Sequence, residues 1–133
     1  MLKIIHIIPS LCKGGAERLA LDICIELAES KGVEIRLITF SNINDYEFLS
    51  KNIQYKEIPC RVIPSLSGKS VVEINELIKY ILEFKPDIIH SHLFEAEIVS
   101  RWNILANIKY FTHCHDNMPQ LRRFKLSDIF YKK

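Results

Sequence analysis

The sequence predicts an α/β fold, a Rossmann-like, mostly parallel sheet with helices on both faces. Short, nearly continuous apolar runs rich in β-branched residues alternate with longer stretches of helical period, the order produced when strands are joined by crossover helices. The runs lack a polar face, as strands covered on both sides require. Size agrees: a chain of 133 residues, 48% of them hydrophobic, buries roughly two-thirds of the surface its unfolded form exposes.

Leu2 to Ile8 is the first run, ended by Pro9-Ser10. After a loop from Pro9 to Gly15, the residues Ala16, Leu19, Ala20, Ile23, Leu27 and Ala28 recur at helical spacing, with Glu17 in the first turn and Gly32 just past the end. Val33 to Phe40 is a second strand. The polar stretch Ser41 to Asn52 leads to a shorter strand, Gln54 to Ile58, and Pro59 and Pro64 mark a loop. Val71, Val72, Ile74, Leu77, Ile78, Ile81 and Leu82 form one face of a helix predicted over Lys69 to Lys85 and closed by Pro86. Asp87 to His90 is a brief strand, Glu95 to Asn107 a helix and Ile108 to Thr112 a further strand. The order β-α-β-β-α-β-α-β, without internal repeat, makes residues 1–133 one domain. A polar loop, His113 to Arg123, and a helix opening at Ser127 follow, so the domain is expected to be incomplete.

Eighteen Lys and Arg against sixteen Asp and Glu leave a net charge of +2. That is too mild for a nucleic-acid partner, whose recognition needs a clustered basic face. The charge is uneven, because residues 109–133 hold Lys109, Arg122, Arg123, Lys125, Lys132 and Lys133 against Asp116 and Asp128. Residues 122–133 therefore suit an anionic membrane surface as well as solvent. Cys12, Cys24, Cys60 and Cys114 have no C-x-x-C spacing, and the apolar start is too short for a leader or a bilayer span. Reduced thiols in a cytoplasmic protein are the simplest account.

Ligands of an open α/β sheet bind beyond the carboxyl ends of its strands. There, Gly14 and Gly15 stand at a helix N-terminus, where backbone N–H groups and the positive end of the helix dipole accept a phosphate or carboxylate. A plain capping turn is the competing reading. G-x-G-x-x-G is absent and Phe40-Ser41-Asn42 offers a ribose no acid, which excludes a dinucleotide fingerprint. Ser67-Gly68-Lys69-Ser70 is no phosphate loop, since Ile63 stands where that motif needs glycine; a helix N-terminus accounts for it.

His90-Ser91-His92 and His113-Cys114-His115-Asp116 each follow a strand and open onto one sheet edge. Three readings stand: a metal site of alternate imidazoles, the polar rim of a sugar or phosphate cleft, or histidines that satisfy loop carbonyls. His6, inside the first strand, is read as packed. Glu95 and Glu97 do not share a helical face and act as partners of the helix dipole, one of them toward the cleft.

Three segments together resemble the N-terminal domain of glycosyltransferase family 4. They are Ile7-Ile8-Pro9 leading to Gly14-Gly15-Ala16-Glu17-Arg18, then Pro86-Asp87-Ile88-Ile89-His90-Ser91-His92, then Thr112-His113-Cys114-His115-Asp116. The resemblance implies the acceptor-side half of the two-Rossmann-domain GT-B architecture. It implies transfer of a sugar from a nucleotide sugar to a glycan or lipid-linked acceptor, with retention at the anomeric carbon, in cell-surface polysaccharide synthesis. On matching positions, Gly14 and Gly15 approach the donor diphosphate and His115 is the functional, catalytic histidine, with His113 a weaker match two residues earlier. Glu17, Arg18, His90, His92, His113 and Asp116 are its acceptor-side or cleft residues. No cofactor and no bound metal are implied. The family's donor-binding domain has no counterpart in the sequence, so activity is expected only with that domain or a donor-domain subunit. Two other classes stay open: a metal-dependent hydrolase using His90, His92, His113 and His115, and a noncatalytic α/β binding module.

Overall fold

The computed structural model describes residues 1–64, 70–102 and 104–113. Its elements are β1 (Leu2–Ile8), α1 (Gly15–Ala28), β2 (Val33–Thr39), α2 (Glu47–Ser50), β3 (Gln54–Glu57), β4 (Arg61–Pro64), β5 (Ser70–Glu73), α3 (Asn75–Phe84), β6 (Ile88–His92), α4 (Phe94–Arg101) and β7 (Lys109–His113). Five of the strands form one sheet in the order β3-β2-β1-β6-β7, every pair parallel, while β4 and β5 form a separate antiparallel ribbon.

Alternation along β1 divides the core into two layers. Ile5 and Ile7, with Ile38 of β2 and Ile89 of β6, meet Leu77 and Ile81 of α3 and Ala96 and Val99 of α4. Ile4 and Ile8, with Ile35 and Leu37 of β2, meet Ala20, Leu21 and Cys24 of α1. Helices therefore cover both faces, as expected. Apolar burial on both sides is what a run such as Leu2 to Ile8 requires before it can lie at the centre of a parallel sheet.

The structure corrects three expectations. The helix predicted over Lys69 to Lys85 begins only at Asn75, and Ser70–Glu73 is β5. Adjacent Val71 and Val72 are stiff at χ1 and suit a pleated ribbon better than a helix. Ser70 thus opens a strand instead of a helix, and the loop expected around Pro59 and Pro64 contains β4; Ser67, Gly68 and Lys69 lie outside the described residues. Second, α4 stops at Arg101, well before Asn107. Eight helical residues rise about 12 Å, which already spans most of the roughly 17 Å of a five-residue strand. The chain must then reverse to start β7, and Asn107 adopts φ 66° on the way.

Third, β6 extends to His92 and β7 to His113, because their pairing continues in register from Ile88 with Lys109 to His92 with His113. The polar stretch after β2 holds α2 and an isolated bridge between Leu11 and Asn44. The loop beyond His113, the helix expected at Ser127 and the basic residues 122–133 lie outside the described residues. Among the described residues, no helix is long and apolar enough to cross a membrane.

Candidate functional site

Between β1 and α1 the chain runs through a loop that is clamped by residues 43–46. Leu11 N–H donates to Ile43 O (3.1 Å), Asp45 N–H to Leu11 O (2.8 Å), and Lys13 N–H to the Asp45 carboxylate (2.7 Å). The Tyr46 hydroxyl closes the clamp by accepting from Gly14 N–H (3.2 Å) and donating to Gly14 O (3.1 Å). Tyr46 is itself fixed by an Asx turn, its N–H donating to Asn44 Oδ1 at 2.9 Å. Asp45 and Tyr46 carry no periodic signal; only the turn-forming Asn44 two residues before Tyr46 marks the segment in the sequence.

The two glycines are not equivalent. A Cβ on Gly14 would run into the carboxylate of Glu17, which turns inward from the first turn of α1, is buried, and accepts from the Cys12 thiol at 3.8 Å. Gly14 therefore leaves the space that the Glu17 carboxylate fills, and its N–H is already committed to Tyr46. Around Gly15 nothing lies within 4 Å of the place a Cβ would take, and α1 starts there without a side-chain cap. The expectation that both glycines present amides to an anion is not met at Gly14, whose N–H goes to the Tyr46 hydroxyl. Arg18 lies on the exposed side of α1, paired with Asp22 at 3.0 Å.

His90 and His92 lie within β6, and His113 ends β7, so all three project from the sheet and none stands in a loop beyond it. Register sets His6 beside His90 and His92 beside His113. Period-two alternation places all four on the α1 face. Ring centroids are 4.8 Å apart for His6 and His90, 4.3 Å for His90 and His92, 5.5 Å for His92 and His113. His6 Nδ1 and His92 Nε2 share a hydrogen bond at 3.0 Å, and both residues are essentially inaccessible, at 1% and 0% exposure. Burial, with a contribution from neighbouring His90, lowers the His6 pKa to about 3, which keeps this imidazole neutral. His6 is packed, as expected. Its membership of the cluster was missed, because strand register is not visible in a single segment. A cavity of about 420 Å³, lined by His6, His90, Thr112 and His113 with Ile4 and Ile88, opens on the group. His115 and Asp116 lie outside the described residues.

On the opposite face, β1 and β6 send the chain to helices on different sides of the sheet, the topological switch at which open α/β folds hold ligands. The turn out of β6 passes through Leu93 at φ 73°, a conformation that side-chain-bearing residues seldom adopt, and delivers Glu95 to a cavity of about 580 Å³. Pro9, Ser10, Phe40, Ser41 and Cys60 supply the other walls. Partial burial raises the Glu95 pKa, and burial, reinforced by the charges of Glu76 and Glu95, pushes the Cys60 thiol up to about 12. One of the two helix-start acids thus faces the cleft, as anticipated.

A glycine loop, a cavity at the switch point and a parallel sheet occur together in this chain, and the sequence model of Glycosyltransferase Family 4 matches residues 13–133. The chain belongs to glycosyltransferase family 4. No curated protein matches it. The glycosyltransferase fold here is that of the Rossmann-like N-terminal domain of the GT-B architecture, and the class works on a sugar donor and an acceptor. Gly14, Gly15 and the histidine-bearing strands β6 and β7 fall inside the matched region, while β1 with His6 precedes it.

Proposed function

We propose that this domain is the acceptor-side wall of a retaining glycosyltransferase. It moves a sugar from a nucleotide sugar to a glycan or lipid-linked acceptor in cell-surface polysaccharide synthesis. The observation that carries the reading is Gly15, at an uncapped helix start with open space where a side chain would stand. A diphosphate held by a facing donor domain, on the same chain or on a partner subunit, meets N–H groups and the positive end of the α1 dipole at that point. Charge that builds on the leaving diphosphate is stabilised by those fixed dipoles, which need no reorganisation during the reaction.

The acceptor occupies the cavity at the switch point, where the Ser10 and Ser41 hydroxyls and the Glu95 carboxyl offer hydrogen bonds to sugar hydroxyls. His115 is the histidine assigned to the reacting sugar, with Asp116 and His113 beside it in sequence. Residues 122–133 hold the enzyme against the anionic inner face of a membrane. Gly15→Val in the intact enzyme tests the reading: kcat/KM falls by about 10²-fold or more, the loss typical of a removed oxyanion donor, while circular dichroism and Tm stay unchanged. Unaltered kinetics in that variant would overturn it.

A further inference from the structure

We infer that His6, His90 and His92 form a binding site for a borderline-soft divalent cation of the zinc type, tying β1 to β6 on the α1 face. The donor set comes from two adjoining strands, with two imidazoles at positions i and i+2 of β6 and the third at the paired position of β1. Three histidine nitrogens are an established zinc ligand set. One nitrogen of each ring already lies within 4.8 Å of the other two, and the His6 and His92 pair is at 3.0 Å. A tetrahedral ion with Zn–N bonds of about 2.0–2.1 Å holds its nitrogens roughly 3.4 Å apart, a separation between the 3.0 Å of the His6 and His92 pair and the 4.8 Å that bounds the set.

A second observation is independent of that spacing. His6 meets His92 through Nδ1, and its other ring nitrogen, Nε2, is buried and has no hydrogen-bond partner, a rare condition for a buried polar atom. It belongs to a residue that lines the 420 Å³ cavity, which supplies an entry path. Among the described residues no carboxylate joins the trio. A nitrogen-only set favours Zn²⁺, Ni²⁺ or Cu²⁺ over Mg²⁺ or Ca²⁺. His113, 5.8 Å from His90 between ring centroids, is the next imidazole in reach of a fourth position. The ion's role is a clamp across the sheet, and the inference stands or falls separately from the transferase reading.

The test is titration of the chelator-treated chain with Zn²⁺ by calorimetry and with Co²⁺ by visible absorption, Mg²⁺ serving as control. One equivalent of zinc binds, Tm rises, chelator reverses the rise, and Mg²⁺ does nothing. His6→Gln and His90→Gln each weaken zinc binding by more than the about 10- to 100-fold that loss of an outer-shell partner costs. Should His6→Gln fail to fold by circular dichroism, the half-buried His90→Gln decides. A folded chain that binds no zinc would overturn the inference. So would zinc bound equally by His90→Gln but lost in the Cys114→Ser/His115→Gln double variant.

Discussion

The two faces of the sheet solve the same packing problem with different materials. Beneath α3 and α4 the surface is mostly hydrocarbon, with Ile5, Ile7, Ile38 and Ile89 buried against Leu77, Ile81, Ala96 and Val99, and its polar members are Arg36, over the Phe84 ring, and Ser91, hydrogen-bonded to Thr112. Beneath α1 it is hydrocarbon over β2 and over Ile4 and Ile8 of β1, then changes to histidine at His6 of β1, His90 and His92 of β6 and His113 of β7. One strand carries both materials, since Ile89 and His90 are neighbours in β6 and point to opposite faces. The comparison teaches that a single step of the pleat changes the material a face carries. The glycine pair shows a like contrast on a smaller scale, with Glu17 filling the space beside Gly14 and open space beside Gly15.

The largest test removes hydrocarbon from the closed face. Ile7→Ala, at a fully buried position, costs about 2–5 kcal/mol by urea unfolding, through lost transfer energy plus the cavity left behind. His90→Gln on the half-buried histidine side costs much less. Equal losses would erase the distinction between the faces.

The glycine comparison comes next. Gly14→Ala displaces the buried Glu17 carboxylate, and Tyr46→Phe leaves the Gly14 N–H without its partner while Gly14 O keeps that of Arg18 N–H, so each destabilises by about 1–3 kcal/mol. Gly15→Ala, in open space at a helix start, is neutral or raises stability by up to about 1 kcal/mol. Denaturation midpoints of the three variants measure this directly, and a Gly15→Ala loss as large as that of Gly14→Ala would make both glycines structural.

A finer test uses the thiols as probes. Burial pushes Cys24 in the α1 layer and Cys60 at the cavity wall up to about 12. At pH 8 only on the order of one in 10⁴ of each is thiolate. Both therefore resist alkylation until denaturant is added, whereas half-exposed Cys12 reacts first, as peptide mapping by mass spectrometry will read. The linked stability change has a definite sign. The unfolded thiol ionises near 9 and the folded one near 12, so the unfolded state gains as pH rises through that window. Cys24 costs nothing below pH 9 and about 1.4 kcal/mol per pH unit above it. Cys24→Ala flattens the alkaline fall in Tm, and a slope unchanged by that variant would show that the thiol is solvated.

Much of this architecture was legible in the chain. The runs Leu2 to Ile8 and Val33 to Phe40, the helical face from Ala16 to Ala28 and the stop at Pro86 each contain enough residues for their period to be unambiguous. The β4–β5 ribbon was not legible, because four-residue strands around Val62 and Val71 are too short to separate a strand period from a helical one. The α4 terminus was missed for another reason: no proline or glycine ends it, and only the return to β7 does.

For the site, sequence alone determined that Gly14 and Gly15 precede a helix, that Glu95 opens another, and that His90 and His92 share a face. Those facts follow from local spacing, since a period of two or 3.6 is a property of neighbouring residues. Tertiary structure decided that Tyr46 takes the Gly14 amide, that Glu17 fills the space beside Gly14, and that His6 lies against His90 and His92. A period states which face a side chain takes, and it is silent about which strand, in what register, lies alongside.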